Sequence, residues 1–116
     1  MSHISRHRVL ITRVDTVALE GARQMFARYG SQLLGVSVSQ RDGQLFIDGR
    51  PVRFFAEANA IGVEMDYWKS SLSMDGVGKA MEKSYRAIVA QRQLKAKGYN
   101  TVVQVEGQKI EILAEV

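Results

Sequence analysis

Lys79, Lys83 and Arg86 follow one another at steps of four and three residues, and Lys97 extends the row. On a helix that spacing gathers the cations on one face, where they would meet phosphates spaced along a nucleic acid. Six of the chain's sixteen basic residues lie between Lys79 and Lys97, and Glu82 is the only acid among them. The competing reading is a solvated helix face, because lysine and arginine are good helix formers. No aromatic residues are interleaved with the row for base stacking, which keeps nucleic-acid binding the second reading.

Other constellations are weaker. Asp75-Gly-Val-Gly-Lys79 invites a phosphate-loop reading, since backbone N–H groups and a lysine cradle anions. Ser73 stands where the first glycine belongs and Ala80 where a magnesium-binding hydroxyl belongs, so the stretch reads as a helix entrance. Gly35-Val-Ser37-Val-Ser39 lacks the second glycine of a nucleophile elbow and reads as strand. His3 and His7 are four apart, a metal-compatible step on a helix, but they precede a strand and no second histidine pair exists. Glu64 and Asp66 share a strand face near Trp68; without a substrate geometry they read as solvated carboxylates. No catalytic residue, metal site or cofactor is expected.

The aromatic residues pose a different question. Phe54 and Phe55 are adjacent, as are Tyr67 and Trp68. Neighbours on a strand point to opposite faces, so one covered face cannot accept all four. The surplus predicts an apolar patch, and Phe54, Phe55, Tyr67 and Trp68 are the candidate protein interface, with a second copy of the chain as the expected partner.

The elements that position these residues follow from periodicity. Arg8–Val14 reads as a strand, and Asp15 or Thr16 caps a helix whose stripe is Leu19, Ala22, Phe26 and Tyr29. Gly30 is the expected stop of that helix. Strands are expected over 34–40, 44–48 and 52–58, turning at Asp42-Gly43 and Asp48-Gly49. Ile61 to Trp68 alternates, with Ile61, Val63, Met65 and Tyr67 on one face. A second helix follows the Ser71–Asp75 region to about Lys97, with Val77, Met81, Tyr85 and Ile88 on its apolar side. Strands at 101–105 and 109–113 close the chain as a hairpin about Glu106-Gly107.

The order β-α-β-β-β-β-α-β-β predicts an α+β domain, an antiparallel or mixed sheet with two helices packed on one face. Residues 1–116 form one domain, without repeat or linker. The expected core comprises Leu19, Phe26, Val63, Met65, Met81, Tyr85, Ile88, Val103, Ile110 and Ile112. Hydrophobic residues make up 46% and charged residues 24%, the balance of a folding chain. The absence of cysteine excludes disulfides and thiolate chemistry and fits a reducing, cytoplasmic setting. No apolar run approaches a membrane span, and the first residues do not read as a signal peptide. A net charge of +4 permits a polyanionic partner without requiring one.

The opening Met1-Ser2-His3, the Asp66-Tyr67-Trp68 step, Tyr85 in the long helix, Lys97-Gly98-Tyr99 at its end and the final strands carry one likeness. In these features the chain resembles the chloroplast and cyanobacterial hypothetical open reading frame 35 family, domain of unknown function 1257. Residues 30–60 depart from it, notably in the extra Asp48-Gly49-Arg50-Pro51 turn. The resemblance implies a small α+β protein and brings no catalytic residue set. The leading expectation is a non-enzymatic protein-binding or assembly module that self-associates through its sheet.

Overall fold

The computed structural model describes residues 4–11, 13–67 and 70–115. The elements are β1 (Ile4–Leu10), α1 (Thr16–Leu34), β2 (Val38–Arg41), β3 (Gln44–Ile47), β4 (Arg50–Ala56), β5 (Ala60–Asp66), α2 (Met74–Ala96), β6 (Asn100–Glu106) and β7 (Lys109–Glu115). The architecture is α+β, with the expected element order and antiparallel pairing throughout. A five-stranded sheet runs β1-β5-β4-β3-β2, and β6 and β7 form a separate two-stranded sheet.

Both helices cover one face of the larger sheet. Val9, Leu45, Ile47, Val52, Phe54, Ile61, Val63 and Met65 point to that face and join Leu19, Phe26, Val77, Met81 and Tyr85 in one core. Alternation places Arg6, Arg8, Arg41, Phe46, Arg53, Phe55, Gly62 and Glu64 on the opposite face, which neither helix covers, while His7 keeps to the helix side. Two turns fix the register of the middle strands. Asp42 and Gly43 have φ of 52° and 79°, and Asp48 and Gly49 have 51° and 75°, the left-handed pairs of two-residue hairpins.

The limits of several elements differ from expectation. β1 starts at Ile4 and ends at Leu10, because its partner β5 begins at Ala60, opposite Leu10. β2 begins only at Val38, because α1 runs on to Leu34. Gly30 does not stop α1; it is buried within the helix, where an added Cβ would lie 3.2 Å from the Val38 methyls. Leu33 prolongs the apolar stripe, and the stop is Gly35, with φ of 72° and its N–H donating to the Ser31 carbonyl. At the other end the Asp15 carboxylate accepts from the Val17 and Ala18 N–H groups at 2.8 and 3.2 Å.

The closing hairpin does not extend the main sheet. Lys83 Nζ donates to the Gln108 carbonyl at 2.8 Å, and the Gln91 amide donates to Thr101 Oγ1 at 3.1 Å, docking it along α2. Val103, Ile110 and Ile112 are therefore only partly buried, as is Ile88, while the other expected core residues are buried. One helix flank cannot enclose a two-stranded ribbon as two layers enclose a sheet.

Candidate functional site

The uncovered face of the five-stranded sheet collects a consistent chemistry. Arg6 and Arg8 stand on β1, Arg41 on β2, Phe46 on β3, Arg53 and Phe55 on β4, and Glu64 on β5, each at the outward phase of its strand. The Arg53 guanidinium lies 4.6 Å from the centre of the Phe55 ring, and the Arg41 guanidinium 4.7 Å from that of Phe46. A guanidinium at this distance is held by the ring's quadrupole and keeps its donors available to a partner.

Phe55 has room to lie flat because its cross-strand neighbour is Gly62. An ideal Cβ on Gly62 would come within 2.3 Å of the ring, so only glycine fits beneath it. The ring in turn buries Gly62 and supplies the packing that a glycine strand position lacks. The β1 arginines are paired: Arg6 Nε meets Glu64 Oε2 at 2.8 Å, and Arg8 Nε meets Glu57 Oε2 at 3.0 Å. Among the described residues Arg41 and Arg53 have no carboxylate partner, so these two arginines are the cations of this face that its carboxylates, Glu64 and Asp66 of β5 and Glu57, leave without an ion pair.

The four expected interface aromatics separate. Phe54 is 2% exposed and packs edge-on against Phe26 with ring centres 5.0 Å apart, so it belongs to the core. Phe55 takes the open face. Tyr67 packs half-buried against the core rather than out to solvent, and burial pushes its phenol up to about 12. The Tyr67 hydroxyl is buried with no hydrogen-bond partner among the described residues. Trp68 lies outside the described residues, as does His3 of the histidine pair.

The basic row on α2 is exposed but largely engaged. Lys79 pairs with Asp75 at 3.1 Å and Arg86 with Glu82 at 3.0 Å, while Lys83 holds the hairpin turn through the Gln108 carbonyl. Lys97 lies exposed just beyond α2, and its backbone N–H closes the helix on the Gln93 and Leu94 carbonyls. The glycines of the Asp75–Lys79 stretch have structural duties. Gly76 N–H donates to the Ser73 cap at 2.9 Å, and a Cβ on Gly78 would lie 2.8 Å from the His7 ring. Gly78 is thus where α2 approaches β1 closely. Glu64, one of the two strand carboxylates, is the ion-pair partner of Arg6.

The sequence signal for the open face was period two, read on arginine as well as on apolar residues. Arg53-x-Phe55 and the Arg41…Phe46 pair flanking Asp42-Gly43 carry it, and neither pair follows helical spacing. Comparisons of this chain with protein-family models, with curated proteins and with solved structures found no match.

Proposed function

We propose that this chain is a non-enzymatic binding module whose site is the open face of its five-stranded sheet, and that the occupant is a single-stranded nucleic acid. The observation that carries the reading is the pair of guanidiniums on phenylalanine rings, Arg53 over Phe55 and Arg41 over Phe46, on a face no helix covers. Bases stack on aromatic and guanidinium planes without sequence preference, and arginine donors grip phosphates. The basic row of α2 has the charge without the aromatics, and its own carboxylates neutralise much of it. The resemblance to the open reading frame 35 family belongs to this proposal as fold context only.

The test is fluorescence anisotropy of a labelled oligonucleotide of about 12 nucleotides, within the span single-strand folds occupy. The native chain should bind with an affinity that falls with salt, at a log–log slope near −0.7 per phosphate contacted. Arg41→Gln with Arg53→Gln should abolish most of that binding, while Lys79→Gln, Lys83→Gln and Arg86→Gln together should leave it. Absence of binding at low salt, or loss only in the α2 variant, overturns the proposal.

A second reading, assembly of two copies through the same face, has one observation in its favour: Ile4 and Leu10, outward on β1, are each 72% exposed. Apposing the unpaired Arg41 and Arg53 of two copies opposes it, because like charges brought together in an interface are costly. Phe55→Lys would make such a dimer monomeric in sedimentation, and an unchanged mass removes this reading.

A further inference from the structure

We infer that two copies of this chain associate by seating the outer face of each β6–β7 hairpin in a groove beside the other's α2. The groove, of about 850 Å³, runs between the end of β1, the segment entering α1 and the second half of α2. Ile11, Val89 and Ala90 give it an apolar lining, and Arg13 and Arg92 give it positive charge, with Arg86 of the same lining paired to Glu82. Asp15 is the one carboxylate among the described residues of that lining, and it already caps α1 and faces Arg92 at 3.5 Å. Arg13 has no carboxylate partner among the described residues. From Tyr85 to Ala96 the groove follows α2 for about 16 Å at 1.5 Å per residue.

The complementary surface is on the same chain. Strand alternation puts Val102 and Leu113 opposite each other on the hairpin face turned away from α2, where they are 42% and 43% exposed. Glu106, Glu111 and Glu115 share that face, and Lys109 is its one cation among the described residues. Lys109 pairs with Glu111 at 2.8 Å, and both Glu111 and Glu106 hold its ammonium charged, yet the face keeps an acidic excess. Six residue steps from Lys109 to Glu115 cover about 20 Å, enough to fill the groove's length.

One molecule cannot satisfy both surfaces. Lys83 and Gln91 hold the hairpin, whereas Tyr85 and Val89 line the groove. Each of the latter is two residues from one of the former, about 200° around the helix, so hairpin and groove occupy opposite flanks of α2. A second copy offers the acidic, apolar strand pair that the basic, apolar groove lacks. Two such contacts related by a two-fold axis close the pair. Burying the exposed side of a two-stranded ribbon also removes the weakness of a hairpin supported on one side only.

A charge exchange tests this on the full chain. Sedimentation velocity of the native protein should show mass rising with concentration. Arg13→Glu with Arg92→Glu gives an acidic groove and acidic hairpin; Glu111→Arg with Glu115→Arg gives a basic groove and basic hairpin. Each variant alone should associate at least about tenfold more weakly, because like charges meet. An equimolar mixture should recover association, since both contacts then join opposite charges. Circular dichroism checks folding, and Leu113→Ser gives a second weakening variant without a charge change. A native chain that stays monomeric at high concentration overturns the inference, as does self-association unaffected by either pair. Loss of association through Phe55→Lys alone would also overturn it and assign the contact to the sheet.

Discussion

Phe54 and Phe55 are neighbours in sequence with opposite fates, and the two faces of the sheet differ as they do. Phe54 joins Phe26 under the helices with 2% of its surface exposed. Phe55 lies on Gly62 beneath the Arg53 guanidinium, partly buried by its own neighbours. On the covered face apolar bulk is spent on cohesion. On the open face the same residue type becomes a platform that arginine keeps wet. An outward phenylalanine is therefore no sign of a dry protein interface where a guanidinium shields it.

The two faces should respond most differently to truncation of their phenylalanines. Phe54→Ala should cost about 3–5 kcal/mol, the range for emptying an aromatic from a packed core. Phe55→Ala should cost about 1 kcal/mol, the scale of a cross-strand pair, and should weaken oligonucleotide binding. Urea denaturation measures both; equal losses would erase the distinction between the faces.

Gly62→Ala comes next. Its Cβ would meet the Phe55 ring at 2.3 Å, and the ring would have to tilt outward. Overpacking of this kind costs about 1–3 kcal/mol. The binding loss should resemble that of Phe55→Ala, although the phenylalanine is still present. A variant that binds as the native chain does would show that the flat seating of the ring is irrelevant.

A smaller effect concerns the helix that covers the sheet. The Ala18 and Val17 N–H groups, helped by the Arg92 charge, hold the Asp15 carboxyl below its ordinary value of 3.8. A lowered folded value means that this cap stabilises above pH 3.8 and that its contribution fades as the pH falls through the folded value. Melting temperatures between about pH 5 and about pH 3 should fall less steeply for Asp15→Asn, which keeps an acceptor without the titration.

The smallest change is expected on α2. Lys79→Gln, Lys83→Gln and Arg86→Gln together should shift stability by about 0.5 kcal/mol, because exposed helical pairs contribute a few tenths each. A large loss would mean that the Lys83–Gln108 contact, at 2.8 Å, anchors the hairpin more firmly than its exposure suggests.

Much of the fold was legible because it rests on local chemistry. Asp42-Gly43 and Asp48-Gly49 announce their turns, Asp15 its cap, and Ile61, Val63 and Met65 their buried face. The end of α1 is not legible at Gly30, because a glycine can serve either as a stop or as a close approach, and only Val38, eight residues on, decides between them. The separation of β6 and β7 from the main sheet likewise depends on a helix flank that no local pattern reveals. The candidate site was half legible. Alternation separates Phe54 from Phe55, but Arg41 meets Phe46 and Arg53 meets Phe55 only once strands pair and side chains settle.

The most direct measurement is amide chemical-shift mapping of the isotope-labelled chain during titration with the single-stranded oligonucleotide. Progressive shifts should cluster at Arg41, Phe46, Arg53, Phe55 and Gly62, with residues 79–86 of α2 nearly still. Shifts concentrated on Lys79, Lys83 and Arg86, with the open sheet face unmoved, would contradict the proposed site.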